Sequence, residues 1–123
     1  MNSPTIHYDE ISDTLTLTFE SGIPATGIEL NPHLLLRYNS NQHQLISLSF
    51  LEYSLWAQTT EFGTRSFPLS GLSALPLPLQ AELLNQLNQS PLSEFLQCST
   101  YTLSSAESIP IVSLKPASIQ QSA

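Results

Sequence analysis

The residues best suited to chemistry are three carboxylates in a short turn near the start of the chain. Asp9, Glu10 and Asp13 lie between two alternating runs in IHYDEISDTLTLTF, with His7 and Tyr8 just before them. Calcium loops need alternating acidic positions, a central Gly and a terminal Glu, and this turn does not have them. Asp side chains ordinarily bond the backbone of their own turn, so we expect a hairpin corner. A small metal-dependent or carboxylate-based enzyme using Asp9 and Asp13 is kept as an alternative.

Other catalytic patterns do not occur in the sequence. The three histidines show no HxH or HExxH spacing, and the single Cys98 has no nearby partner for a zinc site. The GLSAL segment lacks the second Gly of the turn around a catalytic Ser, and the four glycines form no phosphate loop. The sequence therefore favours a protein that is not an enzyme and that uses no metal or cofactor.

The charge pattern narrows the class of partner. Ten acidic and three basic residues give a net charge of −7, and Arg37, Arg65 and Lys115 lie far apart. Phosphate backbones and anionic membranes are bound by clustered Lys and Arg, so neither nucleic acid nor a membrane surface is expected. Seven of the carboxylates precede Gly63, where Arg37 is the only base, and a partner with a basic face would be attracted there.

The sequence also predicts where the protein works. No charged-then-apolar leader precedes the first strand, and no apolar run approaches the roughly 20 residues of a spanning helix. A single cysteine cannot form an internal disulfide. We expect a cytoplasmic protein without membrane insertion.

Strict alternation of apolar and polar residues predicts an antiparallel β-meander in residues 5–55. Leu15, Leu17 and Phe19 share one strand face while the threonines between them face the other way, which is typical of a half-buried strand. About five strands are expected, around residues 6–8, 14–19, 25–30, 33–38 and 45–50. The order of the strands beyond the two hairpins is left open.

A change in the spacing of apolar residues predicts an irregular and helical segment at residues 56–98. LEYSLWAQ has the spacing of a short helix, TEFGTRSF fits a sixth strand or a loop, and LSGLSALPLPL is expected to be extended or irregular because of its glycine and prolines. The clearest helix begins near Pro78, and a second short helix is expected at PLSEFLQ with Ser90 as its N-cap. The stripe of the first helix consists of Leu79, Leu83, Leu84 and Leu87.

The end of the chain completes the predicted architecture. Residues 99–115 are expected to form a terminal β pair, and residues 116–123 a frayed tail. The predicted fold is a single α+β domain, residues 1–123, in which a C-terminal helical segment packs on one face of the antiparallel meander. Whether the terminal β pair joins the main sheet is left open.

The opening of the chain resembles a small bacterial family, domain of unknown function 2283. The family pattern has a Tyr-Asp, a later Asp and a strand of alternating aliphatic residues, and LLLRYNSNQHQLISLSFLEYS is similar to its second hairpin. The resemblance covers roughly residues 5–55 and implies a β-meander. The matching residues are Tyr8, Asp9, Asp13, Leu15, Leu17 and Phe19.

The chain departs from that family pattern at four positions. The family usually has Asp where Arg37 stands, a Gly in the turn around His43, and Gly and Glu where Ser47 and Ser49 fall. Some members look like halves of two-gene toxin–antitoxin modules. The resemblance therefore implies a protein partner, and it implies no particular chemistry.

The leading hypothesis is a non-enzymatic protein–protein interaction or accessory module. The apolar LSALPLPL segment is long for a chain of 123 residues to bury, so Leu75 and Leu77 join Tyr8, Asp9 and Asp13 as candidate contact residues. A homodimer is a further candidate, because the sheet has few Lys residues to protect its edges. The alternative function is an acidic, antitoxin-like inhibitor that covers a basic partner enzyme.

Overall fold

A computed structural model describes residues 4–61, 63–89, 92–104 and 107–115 of the chain. The described residues form antiparallel sheets and a few helices, which confirms the predicted α+β class. The chain divides into two compact units, Met1–Ser54 and Leu55–Ala123, and the boundary lies beside the predicted end of the meander at residue 55. The single domain and the helix packed on the meander stay predictions.

The first unit is a five-stranded antiparallel sheet. Its order is β1-β2-β5-β4-β3, so β1 and β3 form the two edges and β2 pairs with β5 rather than with β3. The strands therefore comprise a hairpin and a three-stranded meander that are joined side by side. They are β1 (Thr5–Asp9), β2 (Thr14–Thr18), β3 (Thr26–Asn31), β4 (Leu34–Asn39) and β5 (Gln44–Leu51).

Apolar and polar residues alternate along the strands, so the two faces of this sheet differ in polarity. Leu17 in β2 lies opposite Leu48 in β5, which lies opposite Leu36 in β4, and all three are buried. Directly opposite residues share a face, so the intervening positions form a second face that carries mainly hydroxyl side chains. Further buried residues of the apolar face are Leu15, Leu34 and Phe50.

A bulge in β5 shapes the sheet near its middle. Arg37 pairs with Ser47 and Tyr38 pairs with Leu45, which leaves Ile46 as an extra residue. The Ile46 carbonyl accepts hydrogen bonds from the backbone N–H groups of Phe19 at 2.9 Å and Glu20 at 3.3 Å. The chain that leaves β2 is therefore fastened to the bulge.

The second unit contains strands of two to nine residues and the longest of the described helices. A three-stranded antiparallel sheet has the order β8-β10-β9, and β6 pairs with β7. The predicted terminal β pair is confirmed as β9 and β10, and its sheet partner is β8. The elements are β6 (Thr59–Thr60), β7 (Gly63–Thr64), β8 (Ser66–Pro68), β9 (Leu96–Ser104), β10 (Glu107–Leu114) and α2 (Leu77–Leu87), while α1 (Tyr53–Trp56) spans the boundary between the units.

The helical predictions are confirmed in part. Helix α2 has Pro78 in its first turn and buries Leu83 and Leu87, as its leucine stripe predicts. The segment before it is not irregular throughout, because Ser70–Ala74 form a 3₁₀ helix.

The second predicted helix, at PLSEFLQ, was wrong. Of its described residues, only Leu92–Glu94 are helical, as a single 3₁₀ turn. Strand β9 begins at Leu96, whose partner in β10 is Leu114, and the Phe95 carbonyl accepts a 2.7 Å bond from the Lys115 N–H. The residues that would continue the helix thus pair with β10 as part of a strand instead. The predicted cap Ser90 and the tail 116–123 lie outside the described residues.

None of the helices within the described ranges has the length and apolar character that crossing a lipid bilayer requires.

Candidate functional site

The acidic turn connects β1 to β2, and Asp9 closes it. One carboxylate oxygen, Oδ1, accepts a 3.1 Å hydrogen bond from the Ile11 N–H, and Oδ2 accepts a 2.9 Å bond from the Ser12 hydroxyl. This is the usual arrangement in which an Asp side chain organises the turn that follows it. Both oxygens of Asp9 are thus engaged by its own turn, as the sequence predicts.

Asp13 has a different role from the one that the sequence predicts. Its Oδ2 accepts a 3.1 Å bond from the Ser54 N–H, and its carbonyl accepts a 2.8 Å bond from the Tyr53 N–H. Its Oδ1 accepts a 2.7 Å bond from the Tyr8 hydroxyl. The residue also takes φ 53°, a left-handed conformation that Asp tolerates better than most residues. Asp13 therefore fastens the turn to the start of α1 and to Tyr8 rather than bonding the backbone of its own turn.

These hydrogen bonds set the charge of the turn. The hydroxyl of Ser12 is the main cause that lowers the pKa of Asp9, and the Tyr8 hydroxyl is the main cause that lowers the pKa of Asp13. The same bond to Asp13 raises the pKa of Tyr8 above its ordinary value. At neutral pH the two carboxylates are ionised and the phenol is protonated, an arrangement that favours structure over general acid catalysis.

The same bonds bear on the metal alternative. A cation at this turn would have to compete for oxygens that each already accept a hydrogen bond from the chain. In the described part of the chain, no three His, Cys, Asp or Glu side chains come together in a group that could hold a metal ion. The geometry of the turn is that of a hairpin corner held by side-chain hydrogen bonds.

The tip of this corner presents an apolar side chain. Ile11 is 99% exposed, and Tyr8, three positions earlier in the chain, is 42% exposed. The Tyr8 ring contacts Tyr53 edge-on at 5.8 Å between centroids, and Tyr53 contacts the buried Phe50 at 6.5 Å. The Tyr8 ring is thus connected to the core of the first unit through Tyr53 and Phe50. Sequence reasoning missed Ile11, although a β-branched apolar residue within a polar turn was a usable signal.

The other two candidate residues lie in the second unit. Leu75 is half-buried after the 3₁₀ helix, whereas Leu77, the first residue of α2, is 78% exposed. Its neighbours Pro76 and Pro78 are exposed as well. The structure thus exposes part of the apolar segment that the sequence singled out, and it joins Tyr8 to Asp13 by a hydrogen bond.

Comparisons with known proteins add no assignment to this geometry. No protein-family model matches the chain, and neither a curated protein nor a solved structure matches it. The resemblance of residues 5–55 to the bacterial family named above stays a prediction.

Proposed function

We propose that the protein is a non-enzymatic protein-interaction module of the bacterial cytoplasm, and that the turn between β1 and β2 is its contact surface. The observation that carries the proposal is the full exposure of Ile11 on a turn held by Asp9 and Asp13. Burial of such a side chain in a partner contributes about 1.5–3 kcal/mol. Because the turn is already ordered, little of that gain is lost to ordering it on binding.

The charges around the tip define the partner. Asp9, Glu10 and Asp13 flank Ile11 in sequence and are acidic, and both aspartates are ionised at neutral pH. A complementary protein surface would offer an apolar hollow for Ile11 with Lys or Arg at its rim. The rim charges would chiefly accelerate association, and the apolar contact would hold the complex.

The test uses affinity capture with matched variants. Tagged wild-type protein, Ile11→Ser and Leu77→Ser are each incubated with native bacterial lysate, and bound proteins are quantified by mass spectrometry. The two variants remove one exposed apolar side chain each, from different units. Neither site contributes to a core, so both variants should fold with unchanged melting temperature.

We expect a stoichiometric partner that wild type and Leu77→Ser retain and that Ile11→Ser loses by about tenfold or more. Equal capture by all three proteins, or failure of wild type to recover any stoichiometric protein, would sink the proposal. Loss confined to Leu77→Ser would instead move the contact surface to the start of α2.

An acidic, antitoxin-like inhibitor of a basic enzyme is the second candidate. It is favoured by the charge of the first unit, in which six carboxylates accompany one basic residue, Arg37. Added salt screens the attraction between charged surfaces, so an association governed by charge weakens as the salt concentration rises. The screening distance, the Debye length, is about 8 Å at physiological ionic strength. Repeating the capture at high salt separates the candidates. The inhibitor's partner is basic and lost at high salt, whereas the apolar contact at Ile11 survives.

A further inference from the structure

The hydroxyl-bearing face of the five-stranded sheet contains a concavity of about 710 Å³. Its floor consists of two rows of residues that run across the strands β2, β5 and β4. Within each row, the residues on neighbouring strands are directly opposite one another. Such neighbours have Cβ atoms about 4.5–5.5 Å apart, so each row forms a continuous strip. The first row is Thr18, Ser47 and Arg37, and the second is Thr16, Ser49 and Leu35.

The wall of the concavity is the segment that leaves β2, residues 20–24. One end is held by the bulged Ile46, whose carbonyl accepts the N–H groups of Phe19 and Glu20. The other end is held by Asn39, whose Nδ2 donates a 2.9 Å bond to the Pro24 carbonyl. The wall is therefore fixed at both ends, and the hollow beside it is formed before any ligand arrives.

Arg37 and Ser47 are two of the lining side chains that have no partner among the described residues. The Arg37 guanidinium forms no ion pair or hydrogen bond there, although the first unit is rich in carboxylates. Ser47 is only 6% exposed, lines the concavity, and has a side-chain hydroxyl without a hydrogen bond among those residues. By contrast, Thr16 and Ser49 in the second row bond each other at 3.2 Å. The Ser47 oxygen is open to the concavity, so its hydroxyl can form a hydrogen bond with a group that binds there.

We propose that this concavity is a binding site for a small monocarboxylate, whose carboxylate bonds the Arg37 guanidinium and the Ser47 hydroxyl. A guanidinium offers a planar pair of N–H donors that matches a carboxylate. Since Ser47 and Arg37 are directly opposite each other on neighbouring strands, one carboxylate reaches both. The rest of the ligand lies against the apolar lining, to which Leu35, Ile23 and Pro24 contribute.

Charge decides between a carboxylate and a phosphate. Glu20 also lines the concavity, and the chain carries a net charge of −7. A dianion would be repelled by both, whereas one negative charge can be balanced by Arg37 alone. The apolar lining likewise favours an organic acid over an inorganic ion. This inference does not depend on the proposed contact at Ile11.

The experiment follows backbone amide NMR shifts of the full chain during titration with butyrate. Butyramide, which has nearly the same shape without the charge, and inorganic phosphate are titrated in parallel. Arg37→Gln and Arg65→Gln provide matched variants, because each removes one positive charge and only Arg37 lines the concavity. Arg65 is instead bonded to Gln58 at 3.0 Å. Ser47→Ala removes the unbonded hydroxyl while leaving the charge unchanged.

We expect butyrate to shift amides of β2, β4, β5 and residues 20–24 saturably, with butyramide and phosphate at least about tenfold weaker. The affinity for butyrate should fall by about tenfold or more in Arg37→Gln and by less in Ser47→Ala, and should not change in Arg65→Gln. Absence of saturable shifts, or equal affinity in Arg37→Gln and wild type, would overturn the site. Equal affinity for phosphate would overturn the choice of a monocarboxylate.

Discussion

The Tyr8 hydroxyl donates a 2.7 Å hydrogen bond to Oδ1 of Asp13, across the turn that joins β1 to β2. This bond stabilises the ionised carboxylate and the protonated phenol together, so it lowers the pKa of one group and raises that of the other. The backbone N–H of Ser54 adds a second donor to the same carboxylate. The turn that best resembles a catalytic cluster in the sequence is thus a bracing point between a hairpin and α1.

Replacing Asp13 by Asn should lower the stability of the protein in a pH-dependent way. The folded pKa of Asp13 lies below the unfolded value of about 3.9, so its contribution is complete above pH 4–5 and is lost as the pH falls through the folded pKa. Asn tolerates the same positive φ, so the backbone effect is small. Thermal melts from pH 7 to pH 2 should therefore show a lower melting temperature for the variant at neutral pH and convergence in acid.

Glu10→Gln is the control for this series, since Glu10 is exposed and its side chain makes no hydrogen bond within the described residues. Its melting temperature should follow wild type throughout. A constant gap between Asp13→Asn and wild type down to pH 2 would contradict the ionic role of the Asp13 carboxylate.

The partner group Tyr8 gives a spectroscopic prediction. Asp13 holds the pKa of the Tyr8 phenol above its ordinary value of about 10. In Asp13→Asn one of the four tyrosines should therefore ionise at lower pH than in wild type. Ultraviolet absorbance of tyrosinate, recorded as a difference between the two proteins, measures this. Identical titration curves would mean that the hydrogen bond does not persist in solution.

Much of the first unit could be predicted from residue patterns, because alternation of apolar and polar side chains determines strand faces directly. The pairing of β2 with β5 could not, since it depends on competition among strands that all have suitable faces. His43 illustrates the same limit. It lies in the predicted turn but takes φ 52°, which glycine adopts more readily, so its backbone conformation was not evident from its residue type.

The candidate site was predictable only in part for a related reason. The positions of Asp9 and Asp13 in a turn followed from the sequence, but the bond from Asp13 to Ser54 joins residues 41 positions apart. The concavity arises from the register of three strands together with the bulge at Ile46. Arg37, Ser47 and Ser49, which depart from the family pattern, become one surface only when that register is known.

Gly22 should tolerate a side chain less well than Gly27, for backbone reasons. It has φ 78°, and a Cβ there would meet nothing within 4 Å. Gly22→Ala should therefore destabilise the protein by about 1–2 kcal/mol through strain alone, measured by urea unfolding. At Gly27 a Cβ would make an ordinary 3.6 Å contact with Leu35, so Gly27→Ala should be neutral or stabilising by up to about 1 kcal/mol. Equal losses at both glycines would argue against the strain at Gly22.

Trp56 and Phe67 form an aromatic contact in the second unit, with ring centroids 4.2 Å apart. Trp56 is 0% exposed and is the only tryptophan in the chain. Trp56→Ala should cost about 3–5 kcal/mol, because it removes a fully buried ring and leaves a cavity. Phe67→Leu, made alone and together with Trp56→Ala, completes a double-mutant cycle by chemical unfolding. We expect a coupling of about 0.5–1.5 kcal/mol, since the rings touch. Additive losses would mean that the two rings do not pack against each other in solution, whatever each contributes to the core separately.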